Sequence, residues 1–64
     1  MKIAAYKLQE RYKIIYDGTE YEIIFLFRRD NEISVHGCNP KDTHDWRLLN
    51  YAPGDMVEIA PTKP

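Results

Sequence analysis

Between Tyr12 and Val35, YKIIYDGTEYEIIFLFRRDNEISV, apolar and polar residues tend to alternate. That is the spacing at which side chains return to the same face of a β-strand. The stretch predicts three antiparallel strands joined by two tight turns, with the rest of the chain packed on them.

Asp17-Gly18 is the strongest turn signal. A two-residue hairpin loop of type I′ requires positive φ at both central positions, which Gly meets freely and Asp tolerates. Closing it there places Tyr16 opposite Thr19, Ile15 opposite Glu20, Ile14 opposite Tyr21, Lys13 opposite Glu22, Tyr12 opposite Ile23 and Arg11 opposite Ile24. One face then carries Tyr12, Ile14, Tyr16, Thr19, Tyr21, Ile23 and Phe25. The other carries a Lys13–Glu22 charge pair. Such cross-strand pairs fix a register, because a slip by one residue turns every side chain to the wrong side.

The second reversal, Arg28 to Glu32, admits two registers. A loop of Asp30-Asn31 alone sets Phe25 opposite His36 and Phe27 opposite Ser34. A loop of Arg29-Asp30-Asn31 with Asn31 left-handed sets Phe27 opposite Ile33, Phe25 opposite Val35 and Arg28 opposite Glu32. The longer loop is the expectation, since it keeps one apolar face continuous over three strands. Ile24 and Leu26 then point to the far face, beside Ser34 and His36. A strand apolar on both sides is usually covered on both sides. Either another part of the chain or a partner lies against it.

The flanks are less regular. Met1–Glu10 has helical propensity, with Ala5, Leu8 and Tyr12 on one helical face, but no N-cap residue precedes it. Ala4, Tyr6 and Leu8 also alternate with Ala5 and Lys7, and a strand is expected. His36–Thr43 reads as a loop from Gly37, Asn39 and Pro40. Beyond it, either Asp42 or Thr43 caps a short helix over His44–Tyr51, or Trp46-Arg47-Leu48-Leu49 forms a short strand. Pro53-Gly54 suggests a type II turn, and Met56–Ile59 a last strand with Val57 and Ile59 inward.

The fold class is therefore mainly β: a small curved antiparallel sheet or SH3-like barrel of four to five strands, with one short helix near 43–51 as an option. The closing Pro53–Ile59 segment, PGDMVEI, looks like the last strand of SH3-like and other small barrels. The span Ile33–Ile59, with Trp46-Arg47-Leu48, is similar to the small barrels of WYL-type domains. The resemblance concerns the fold and assigns no residue a role.

At 64 residues the chain can build one small core. One domain is expected over residues 1–60, followed by a flexible tail, 61–64, with fraying from Ala60 onward. The net charge of −1 gives no general attraction to nucleic acid or anionic membrane. Locally the charge is uneven. Lys2, Lys7, Arg11 and Lys13 face Glu10 alone in the first quarter, while Asp17, Glu20, Glu22, Asp30 and Glu32 outnumber Arg28 and Arg29 in the second. Cross-strand pairing accounts for this most simply. The single cysteine, Cys38, excludes an internal disulfide and fits a reducing compartment. With no apolar run long enough for a membrane span or a signal peptide, a cytoplasmic location and no membrane partner are expected.

No constellation names a reaction. His36, Cys38, His44 and Asp45 have metal-ligand chemistry, but their spacing matches no zinc pattern and adjacent residues rarely reach one ion. Neither a metal nor a cofactor is expected. Cys38 with His36 or His44 would need a low-pKa setting and a pocket to act as a nucleophile. The expectation is a non-enzymatic interaction module, an accessory or inhibitory factor that binds a partner protein or itself. Ile24, Leu26, Arg28, Arg29, Trp46 and Arg47 are its candidate contacts, since Trp and Arg dominate interaction hot spots. The alternative is a small-barrel nucleic-acid binder using Lys7, Arg11, Tyr12 and Lys13, with Trp46 as a stacking surface.

Overall fold

The turn at Asp17-Gly18 forms as expected. Both residues are left-handed, at φ 52° and 76°, which gives a two-residue turn the twist that strands require. A computed structural model, which describes residues 1–61, places around it β1 (Lys2–Ala4), a 3-10 turn (Ala5–Lys7), β2 (Lys13–Tyr16), β3 (Thr19–Arg29), β4 (Glu32–Asn39), β5 (Asp42–Tyr51) and β6 (Met56–Glu58). The four central strands form one antiparallel sheet in the order β2-β3-β4-β5, and β1 pairs with β6 in a separate ribbon. Among the described residues the strands do not close into a barrel.

β2 and β3 pair in the expected register, Lys13↔Glu22, Ile14↔Tyr21, Ile15↔Glu20 and Tyr16↔Thr19. The ladder ends where Arg11 takes φ 76°. There the Arg11 N–H donates to the Ile23 carbonyl and the Tyr12 N–H to Gln9, closing a Gln9–Tyr12 turn. Arg11 occupies the position that a type II turn normally gives to glycine.

The second hairpin takes the shorter loop. Arg29↔Glu32, Arg28↔Ile33, Phe27↔Ser34, Leu26↔Val35 and Phe25↔His36 are paired, so only Asp30-Asn31 lies between the strands. Asn31 is not left-handed, so the three-residue loop is not made. The register then slips between Ile23 and Phe25, with Ile24 as the extra residue of a β-bulge. A bulge changes which residues face which side. Tyr21 and Ile23 point inward, whereas beyond the bulge Leu26 does so and Phe25 and Phe27 point outward. This reverses the expected placement of Phe25, Phe27 and Leu26.

The inner face supplies Ile14, Tyr21, Ile23, Ile33 and Val35 to the core, with Leu26, Leu49 and Tyr51 at its margin. Ala5, Leu8, Val57 and Ile59 from the ends of the chain cover it. The N-terminal strand is thus confirmed but short. Ala5 N–H donates to Asp55 O and Tyr6 N–H to Pro53 O, anchoring the 3-10 turn that follows.

Three further expectations change. His36–Thr43 is not a loop: β4 runs to Asn39, Pro40-Lys41 make the turn, and β5 starts at Asp42. Of the two alternatives for His44–Tyr51 the structure takes the strand, longer than Trp46–Leu49, since pairing Leu48 and Leu49 with His36 and Val35 lets one face outward and the other inward. The turn at Pro53-Gly54 closes through Asp55 N–H to Ala52 O, but Gly54 lacks the positive φ of a type II turn. At the C-terminus Ala60 is buried and its N–H donates to Lys13 O at 2.8 Å, so the chain is held there. The expected tail beyond Pro61 lies outside the described residues. No helix among the described residues is long and apolar enough to cross a membrane.

Candidate functional site

The chain's ends cover one face of the four-stranded sheet and leave the other bare. On that outer face, pairing aligns Phe25 with His36 and Leu48, Phe27 with Ser34 and Asn50, and Glu22 with Cys38 and Trp46. Phe25 and Phe27 touch with ring centroids 4.5 Å apart, and His36 meets them edge-on at 6.0 and 6.5 Å. Ile24, Phe25, Phe27, Trp46 and Leu48 are 47, 46, 48, 55 and 61% exposed. Half-exposed side chains of this size leave on the order of 500 Å² of apolar surface uncovered, at the upper end for the largest patch on a monomer.

Polar groups border the patch. Lys13 faces Glu22 and Arg29 faces Glu32 across the strands, and Glu20 lies opposite Ile15. Three acids against two bases give this face no cationic surplus. Ser34 Oγ donates to Asn50 Oδ1 at 2.8 Å, so the hydroxyl beside Phe27 is bonded laterally.

The inner side of the opposite end of the sheet holds a polar network. Tyr21 OH donates to Asp45 Oδ2 at 2.9 Å, Asn39 Nδ2 donates to the same oxygen at 3.2 Å, and Arg47 Nε donates to Tyr21 Oη at 3.1 Å. Arg47 Nε also lies 3.5 Å from Asp45 Oδ1. The Tyr21 hydroxyl, then Asn39, holds the Asp45 carboxyl below the usual carboxylate range, against an opposing effect of burial that outweighs the further help of the Arg47 charge. Tyr21 OH, Asn39 Nδ2 and Arg47 Nε each already have an acceptor within the chain, which suits a brace better than a reactive centre.

The expected contact residues divide between the two faces. Ile24, Arg29 and Trp46 are on the outer side. Leu26 packs against the core, Arg28 donates through Nη2 to the Leu8 carbonyl, and Arg47 belongs to the Tyr21 network. The basic set is also dispersed. Lys7 lies over the Tyr6 ring at 5.8 Å, Arg11 sits in the Gln9–Tyr12 turn, and Tyr12 is half-buried against the core. Lys13 is on β2, three strand spacings, about 14 Å, from Trp46 on β5.

His36 and Cys38 face outward, whereas Asp45 turns to Tyr21. Among the described residues no group of three or more His, Cys, Asp or Glu side chains is placed to hold a metal ion.

Sequence reasoning missed Phe25, Phe27, His36 and Leu48. The signal was the unbroken run Ile23-Ile24-Phe25-Leu26-Phe27. A two-sided strand cannot place five consecutive apolar residues on one face, and a bulge is one way to redistribute them.

No protein-family model matches the chain, and no curated protein or solved structure matches it either.

Proposed function

We propose that the protein is a non-enzymatic interaction module, an accessory or inhibitory factor that docks a partner protein on the outer face of its main sheet. The exposed Phe25–Phe27–His36 cluster, extended by Ile24, Leu48 and Trp46, carries this reading. A standard interface buries about 800 Å² on each side, and its buried centre is about 65% apolar. The bare patch is of the size that such a centre requires. The partner implied is apolar at its centre, with a cationic margin to meet Glu20, Glu22 and Glu32. A free thiol at Cys38 fits a reducing, cytoplasmic setting.

The test is affinity capture with wild-type protein and Phe27→Glu as parallel baits, after thermal melting has shown both folded. The expected result is a partner held by wild type and lost with Phe27→Glu. Identical capture by the two baits would overturn the reading.

Exposed rings on a sheet also favour a second reading, a stacking platform for single-stranded nucleic acid. Phosphate neutralisation by clustered Lys and Arg supplies most of such binding, and this face has more acids than bases. Titration with an oligonucleotide at low salt separates the two readings. Quenching of Trp46 that fades with added salt would favour nucleic acid.

A further inference from the structure

The main sheet has two edges, and the chain treats them differently. Beyond β2, Ile59 pairs with Ile14, Ala60 N–H donates to Lys13 O, and Ile59 N–H donates to Met1 O. The residues just after β6 thus cap that edge at Lys13 and Ile14. Beyond β5 no strand follows among the described residues. An uncovered edge offers a row of free backbone donors and acceptors, which proteins usually block with Lys, Pro, bulges or short length. Trp46–Tyr51 has no Lys or Pro, runs in regular register against β4, and carries one charge, Arg47.

We propose that this edge pairs with the same edge of a second copy, antiparallel, about a twofold axis at Leu48. A twofold interface must be complementary to itself, and the neighbouring registers are poorer. An axis at Leu49 pairs Trp46 with Ala52, which lies beyond the end of β5 and whose N–H already donates to Asp55 Oδ2. An axis at Arg47 sets two guanidinium groups opposite each other, which is destabilising. An axis at Trp46 draws Thr43, His44 and Asp45 into the new ladder, but these are the residues at which β5 slips against β4. It would also seek Asp45 for the second copy's Arg47, although Tyr21 and Asn39 already occupy that carboxylate. With the axis at Leu48, Leu48 meets Leu48, Trp46 meets Asn50 and Arg47 meets Leu49, without opposed like charges and wholly within the regular part of β5. The two outer faces then lie side by side, and the apolar patch is doubled in width. Leu48 and Trp46 border both surfaces, but the pairing uses the backbone edge and leaves Phe25 and Phe27 free, so Phe27→Glu separates it from partner docking on the face.

Two measurements test it. Sedimentation of the wild-type chain should show a monomer–dimer equilibrium that Leu48→Lys shifts to monomer and Phe27→Glu leaves unchanged. In a Cys38→Ser background, Leu48→Cys should cross-link under mild oxidation, because opposed side chains on paired strands come within disulfide reach, while Asn50→Cys should not. A wild-type chain monomeric up to about 1 mM, a dimer abolished by Phe27→Glu, or cross-linking at Asn50→Cys in preference to Leu48→Cys would each overturn the proposal. If Leu48→Lys is folded and monomeric yet still captures a partner, face docking stands while the twofold edge explains only self-association.

Discussion

Tyr21 reaches Asp45 by passing over Gly37. The two side chains belong to β3 and β5, which are not neighbours, and β4 runs between them. The ring lies against the Gly37 backbone so closely that a Cβ there would fall 2.9 Å from the Tyr21 Cβ. The contact is with the root of the Tyr21 side chain, which cannot swing aside. Gly37→Ala should therefore destabilise the fold by about 2 kcal/mol, as overpacking does, read as a lower denaturation midpoint. An unchanged midpoint would mean that the tyrosine does not cross β4 in this way.

Tyr21→Phe keeps the ring in place and removes the hydroxyl. Asp45 and Arg47 then each lose a hydrogen-bond partner, and a loss of about 1 kcal/mol is expected. The double variant Tyr21→Phe/Asp45→Asn should cost less than the sum of the single changes, because the two groups share one interaction. Strict additivity in the double-mutant cycle would refute the coupling.

The same network sets an acid dependence. The hydroxyl of Tyr21, with Asn39 and Arg47, favours the charged form of Asp45, so its folded-state pKa lies below the usual value. The stability it contributes is complete above the normal carboxylate range and declines as pH falls through the depressed value. Glu58 shifts in the same direction through the hydrogen bond and charge of the Met1 ammonium. Urea midpoints should hold steady near neutrality and drop on acidification, and Asp45→Asn should flatten part of that drop. An acid limb unaltered by Asp45→Asn would assign it to other groups.

Arg11 keeps a left-handed backbone at φ 76°. An L residue with a Cβ is disfavoured there by roughly 1 kcal/mol, and glycine is not. Arg11→Gly should raise the melting temperature, and Arg11→Val should lower it more than a surface change would. If Arg11→Gly is destabilising, the side chain contributes more than its conformation costs.

The β3 bulge predicts opposite outcomes for adjacent residues. Leu26→Ala removes packing from the core margin and should cost about 2 kcal/mol. Phe27→Ser acts on the bare face, gives up its ring contact with Phe25, and should stay within about 1 kcal/mol. Equal costs would mean that the two side chains do not lie on opposite sides.

How far the sequence could be read follows from where the determinants lie. The first hairpin was legible because Asp17-Gly18 specifies both turn type and register locally. The mainly β class and a strand at the N-terminus were legible from alternation. The direction of Phe25, Phe27 and Leu26 was not, because it depends on how the Asp30-Asn31 turn and the partner strand share an odd residue, which is a property of two strands together. β5 was obscured by Asp42, Thr43 and Asp45, whose capping chemistry resembles a helix start. In the structure Asp42 Oδ1 instead accepts from His44 N–H, 3.1 Å away, within the strand's irregular beginning. For the candidate site, the sequence raised a two-sided central strand and Trp46, but it misplaced the apolar side chains around them.

The extra residue at Ile24 adds one more apolar side chain to the bare side without disturbing its neighbours. Losing it would bring Ile23 and Phe25 together in plain alternation, with Tyr21, Ile23 and Leu26 still inward and Phe25 and Phe27 still outward. A lineage could therefore trim the bare surface by one in-frame deletion and keep both the core and the aromatic pair.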